Sequence, residues 1–180
     1  ERPRGRLASL RSMGASGVTP QHERRLVTFL SDPAAYPHDV RTVERRETHV
    51  SHVFLAGLYA YKLKKAVHFP FLDASRLSQR RRFCQQELAL NARLAPRVYL
   101  GLVPVVETRQ HLRLSGPGRV VEWLVKMRRL PEQRMLDRLV AAGRASRQDM
   151  GAIADVLARF FRAAARGPAI SRYGTPSRVA

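Results

Sequence analysis

A chain of 180 residues with an ordinary share of apolar residues can bury a real core, as one domain or as two small lobes. Its single cysteine excludes an internal disulfide, and no apolar run is long enough to cross a bilayer. The formal charge of +19 invites a nucleic-acid partner, yet only four of the 33 basic residues are lysine and the arginines are spread along the whole chain. That dispersion reads as a solvated basic surface rather than a dedicated nucleic-acid groove.

The first segment, ERPRGRLASLRSMGASG, is basic and has no apolar stretch after it, so it does not read as a secretory signal. Residues 1–18 are expected to form a flexible leader. Thr19-Pro20 then opens a helix, with threonine as N-cap and proline at the first helical position. This helix runs to about Leu30 and presents Leu26, Phe29 and Leu30 as a short apolar face. A proline-containing connector follows over residues 34–39.

From Val40 the pattern changes to strands. The expected strands are Val43 to Glu47, His52 to Ala56 and Tyr59 to Lys64, with Gly57-Leu58 as a type II′ turn between the last two. Alternation along the third strand puts Ala60, Lys62 and Lys64 on one face and Tyr59, Tyr61 and Leu63 on the other. A small alanine two residues before a lysine leaves room for a flat ligand beside the ammonium group. Cys84 lies in the next helix, residues 75–94, and fits a reduced cytosol as a buried, inert thiol. On the helical wheel Leu90, Phe83, Leu94, Cys84, Leu77 and Leu88 form one apolar arc, with Glu87 near its middle. An ionised carboxylate in an apolar face needs a partner. The candidates are a strand lysine, foremost Lys62, an arginine such as Arg80, which is near Glu87 on the wheel, and a backbone amide.

Leu100 to Thr108 reads as a fourth strand, with Pro104 marking an irregularity or an edge. Residues 109–118, with Gly116-Pro117-Gly118, read as a turn, and Val120 to Met127 as a fifth strand. Pro131 opens a helix ending near Gly143, striped by Met135, Leu136, Leu139 and Val140. A capping box at Ser146 to Asp149 starts a last helix with Met150, Ile153, Ala154, Leu157, Phe161, Ala164 and Ala165 on one side. The tail from Gly167 has no periodicity. The order predicts an α+β protein built on a five-stranded antiparallel sheet, with a long helix after the third strand. The histidines suggest no metal centre, because His49 and His52 fall on opposite faces of an extended segment.

In this order the residues resemble the N-terminal lobe of the protein-kinase-like fold. The closer resemblance is to the aminoglycoside phosphotransferase family and its kinase-like relatives of unknown substrate, some of which continue into a P-loop ATPase domain. It covers about residues 26–178 and rests on ETHVSHVFLAG (47–57), YAYKLKK (59–65), the long segment from Phe71 to Pro104, VKMRRLP (125–131) and LDRLVAAG (136–143). The resemblance implies a kinase-like N-lobe over residues 19–128, then a hinge and the first helices of an incomplete C-lobe over residues 129–180. It implies Lys62 on the α- and β-phosphates of ATP, paired with Glu87, and Ala60 is counted with them as a nucleotide-site residue. Thr48 and Ser51 stand in the place of the phosphate-covering loop, although the glycine-rich sequence is absent and both also read as ordinary turn residues. Lys126, Met127 and Arg128 stand where backbone groups would hold the adenine.

The catalytic H-G-D or H-R-D sequence of such enzymes has no counterpart, since no histidine follows His111. The expectation is therefore the ATP-binding part of a small-molecule phosphotransferase, cytoplasmic, truncated and inactive alone. Magnesium ligands and the unknown acceptor would belong to a missing lobe. A non-catalytic basic domain that binds nucleic acid is the alternative.

Overall fold

The computed structural model describes residues 19–109, 111–172 and 175. The expected leader and most of the tail after residue 172 lie outside the described residues. Helix α1, Pro20–Ser31, begins as its sequence dictates: the Thr19 hydroxyl accepts the His22 N–H at 3.2 Å and Pro20 fills the first turn. Leu26 and Leu30, one turn apart, are buried on its inner face. A 3₁₀ turn over Pro33–Ala35 follows, capped by Asp32.

Three strands come next as an antiparallel meander: β1 Val43–Glu47, β2 Ser51–Ala56 and β3 Tyr59–Lys64. The β2–β3 turn needs its glycine. Gly57 has φ +57°, and a Cβ there would meet the Asp39 carbonyl at 3.0 Å. A small hairpin, β4 His68–Phe69 with β5 Leu72–Asp73, occupies what the sequence presented as a loop. Helix α2 spans Leu77–Ala92, then come β6 Tyr99–Thr108, β7 His111–Leu114 and β8 Arg119–Arg128.

The main sheet is antiparallel, with strand order β1-β2-β3-β8-β6-β7. It has six strands where five were expected. The extra one is β7, read from sequence as part of a turn. Leu112 and Leu114 of β7 pack on the core while His111 and Arg113 face out, an alternation too short to stand out beside Gly116-Pro117-Gly118. Pro104 lies just beyond the reach of β7, which pairs only with Val105 to Thr108. Its missing N–H therefore costs no ladder bond on that side. At the next step Val105 opposes Glu122 and Val106 opposes Val120, so Val121 is an extra residue in β8.

The core is built on the α1 face of the sheet. Leu26 and Leu30 pack with Tyr36, Phe54, Tyr61, Leu63, Val105 and Leu124. Helix α2 covers β6 and β8. The apolar arc expected on α2 is only in part its buried side: Cys84 is buried and Leu77, Phe83 and Leu88 are half-buried, while Leu90 is 60% exposed and Leu94 44%. Arg80 falls within the same arc and is buried against Glu122, a pairing that hydropathy patterning cannot register.

The chain after β8 differs more from expectation. The helix expected from Pro131 divides into a 3₁₀ turn, Glu132–Arg134, and α3, Leu136–Ala141, because Met135 between them takes an extended backbone with ψ 142°. Helix α4, Arg147–Ala163, starts at the expected box, in which Ser146 and Asp149 cap one another. A further turn, α5 Pro168–Ser171, closes the described chain in the tail that lacked periodicity. Neither α3 nor α4 has a buried residue, and Met150, Ile153 and Phe161 of the α4 stripe are exposed. Among the described residues no helix is long and apolar enough to cross a membrane.

Candidate functional site

Alternation along β3 sends Tyr61 and Leu63 into the core and turns Lys62 and Lys64 to the opposite face. There they meet Glu87 of α2. Lys62 Nζ donates to Glu87 Oε1 at 2.8 Å, and Lys64 Nζ donates to Glu87 Oε2 at 2.6 Å. The carboxylate side chain is 11% exposed, Lys64 16% and Lys62 28%. Burial works to raise the Glu87 carboxyl, but the hydrogen bonds and charges of both lysines overcome it and hold the group below its ordinary value.

A depressed carboxyl supplies stability that is present above its unfolded value and lost as pH falls through the folded one. Glu87→Gln should therefore be less stable than the parent at neutral pH, and the two should converge in acid below the usual glutamate range. Urea midpoints measured across pH check this. A gap that does not change with pH would show that the pair contributes nothing ionic.

Beside this trio lies a cavity of about 430 Å³, within the range of small-molecule sites. Ala60, Val53 and Leu55 line it from the sheet, and Val98 and Tyr99 from the entry to β6. Met127 to Leu130 line it along the exit from β8. Most of its wall is apolar. Leu55 is opposite Ala60 in register, and Val53 is opposite Lys62. Lys62 is thus one two-residue step, roughly 7 Å, along the strand from the alanine. At the mouth, Arg46 of β1 donates to Glu132 at 2.7 Å, tying the first strand to the segment after β8.

The structure brings some of the expected residues together and separates others. Ala60, Thr48, Met127 and Arg128 line the cavity. Thr48 closes the β1–β2 turn: its N–H donates to the Ser51 carbonyl at 2.8 Å, and its hydroxyl accepts the Ser51 N–H at 3.0 Å. Ser51 is buried opposite Lys64, and its hydroxyl has no hydrogen-bond partner among the described residues. Lys126 points away from the cavity. It is opposite Tyr61, and its ammonium is 4.0 Å from the centre of the Tyr59 ring, a cation–π contact on the far face of the sheet. The Arg128 N–H is already bonded to the Val98 carbonyl at 2.8 Å.

Sequence reasoning missed Val53, Leu55, Val98, Tyr99 and Leu130 as cavity walls. Val53 and Leu55 could have been found, since period two from the Gly57 turn places both on the face of Ala60. Val98, Tyr99 and Leu130 come from chain entries and exits, where no period applies. Sequence reasoning also treated Lys64 as a bystander, whereas it shares Glu87 on equal terms with Lys62.

Arg80, the alternative partner for Glu87, is engaged elsewhere. Its Nε donates to Glu122 Oε2 at 2.7 Å, and one terminal nitrogen donates to the carbonyls of Ala74 at 2.9 Å and Ser75 at 2.8 Å. Burial pushes the Glu122 carboxyl above its ordinary value, against the pull of Arg80 and of the Trp123 N–H. This pair serves the packing of α2 on β8, away from the cavity. Among the described residues no group of three or more His, Cys, Asp or Glu could hold a metal ion.

No family model matches the chain, and no solved structure matches it. Uncharacterized proteins of Mycobacterium bovis and Mycobacterium tuberculosis are 40% identical to it over 139 residues. That stretch is 77% of this chain and 26% of theirs. The chain thus spans about a quarter of the length of the curated relatives it matches.

Proposed function

We propose that this chain is the ATP-binding part of a kinase-like small-molecule phosphotransferase. The observation that carries the reading is the Lys62–Glu87 ion pair, bridging β3 and α2 one step from an apolar cavity lined by Ala60. A flat heterocycle fits between Val53, Leu55, Met127 and Leu130, where apolar walls reward burial without demanding a charge. A phosphate chain leaving that cavity past the Thr48 turn reaches the lysine face. The antiparallel sheet, with α2 following β3 after the β4–β5 hairpin, supports the kinase-like reading.

In the protein as a whole, bound ATP would supply a γ-phosphoryl group. Its bond to the β-phosphate oxygen breaks, a bond to an acceptor hydroxyl oxygen forms, ADP leaves, and the hydroxyl proton passes to a base. In this reading the described residues bind and orient the nucleotide.

The nucleic-acid alternative rests on the net charge of +19 alone. Arg46, Arg119, Arg129 and Arg138 are each paired with a carboxylate rather than gathered into one free groove.

The test is binding of ATP and of adenosine to Lys62→Ala, in the protein as its gene encodes it. ATP affinity should fall by at least about tenfold, as expected for loss of a charge-assisted contact. Adenosine affinity should hold, because the cavity walls are untouched. Equal ATP affinity in parent and variant would sink the reading.

A further inference from the structure

One carboxylate with two ammonium partners is one cation more than neutrality requires. Lys62 and Lys64 differ in what else they touch. Lys62 is opposite Val53, a wall of the large cavity, and is the more exposed of the two at 28%. Lys64 lines a separate small cavity of about 170 Å³ with Val50, Leu72, Ala74 and Phe83, under the β4–β5 hairpin. Its stem is therefore packed away from the space a ligand would enter, while its ammonium group reaches back to Glu87.

We propose that Lys64 is a positioning residue of the phosphate site: it neutralises and anchors Glu87, so that the charge of Lys62 is left for a phosphate of the ligand. The inference rests on the nucleotide reading above and adds a residue to it. The physical argument is one of charge balance. With Lys64 in place the trio carries a net +1, available to an anion at the cavity end. Without it, Lys62 and Glu87 cancel, and an incoming phosphate meets a carboxylate whose only counter-ion it must share. A lysine has three N–H donors, so Lys62 keeps enough hydrogen bonds to touch both Glu87 and a phosphate oxygen. What it cannot do alone is neutralise both.

The deciding experiment compares ATP and adenosine binding by calorimetry in the protein as its gene encodes it, for the parent, Lys64→Met, Lys64→Gln and Lys64→Arg. The methionine keeps the apolar stem, the glutamine keeps a hydrogen-bond donor, and the arginine keeps the charge. Loss of one net charge at this distance should weaken ATP about tenfold in both neutral variants. Adenosine binding should stay within about twofold of the parent, and arginine should restore most of the ATP affinity. Adenosine also reports whether each variant keeps its fold, and two neutral variants guard against one that does not. If ATP binds the neutral variants as it binds the parent, the role assigned to Lys64 is wrong and the nucleotide reading stands. If ATP and adenosine weaken together, Lys64 is a packing residue, and the inference is likewise overturned. If the parent binds neither ligand, the nucleotide reading fails and this inference falls with it.

Discussion

Arg80→Met is expected to lower the unfolding free energy by about 3–5 kcal/mol, because it leaves the Glu122 carboxylate buried without its counter-ion. Arg80 is 1% exposed and Glu122 also 1%, so water cannot replace the lost partner. The guanidinium also holds the Ala74 and Ser75 carbonyls just before α2, which would be left without that donor. For a chain of this size the melting temperature should fall by roughly 10 °C. Glu122→Gln should cost a comparable amount, since a buried arginine cannot shed its charge.

The double variant Arg80→Met/Glu122→Gln removes both charges and should be much less unstable than the sum of the singles. Denaturant melts of the four proteins form the cycle. Additive losses would mean that the two side chains act independently, contrary to the 2.7 Å contact between them. The effect on ligand binding should be small, because neither side chain lines the large cavity.

The second large effect is the reverse, a loss of binding with little loss of stability. Ala60→Leu places three more carbon atoms on the wall of the large cavity, directed at the space where a base would lie. Ala60 is buried, yet its side chain faces open volume rather than packed core, so the added atoms need not displace neighbours. Binding of both ATP and adenosine should weaken by about 100-fold, equivalent to about 2.8 kcal/mol. The melting temperature should stay close to that of the parent. This variant complements Lys62→Ala, which should weaken ATP alone. Retention of adenosine affinity in Ala60→Leu would place the base elsewhere.

Much of the sheet was legible because its signals are local. Val43–Glu47 and Tyr59–Lys64 follow from alternation bounded by turn residues, and Gly57 marks the hairpin by the backbone that only glycine adopts without strain. Thr19 and Ser146 announce their helices through hydrogen bonds reaching only three residues. Strand β7 and the β4–β5 hairpin were not legible. Four-residue and two-residue strands leave too few alternations to count, and their pairing is decided by neighbours across the sheet. The helix expected after Pro131 failed for a related reason. An apolar stripe at helical spacing does not reveal the extended backbone at Met135 that interrupts it.

By itself the sequence determined that Glu87 stands on the inward side of its helix and needs a cation, and that Lys62 and Lys64 share a strand face. These statements follow from the 3.6- and 2-residue periods and from the cost of an unpaired buried charge. Only the tertiary structure decided which cation goes where. Helix α2 crosses the sheet so that Glu87 meets both lysines while Arg80, two turns earlier, meets Glu122 on β8. The choice depends on how α2 is set against strands far away in the chain. A wheel gives each residue an angle about its own axis and no information on what faces that angle. The same limit applies to the cavity: Ala60 was visible from its place beside a lysine, whereas the walls from Val98 to Leu130 exist only because β6 and β8 come together there.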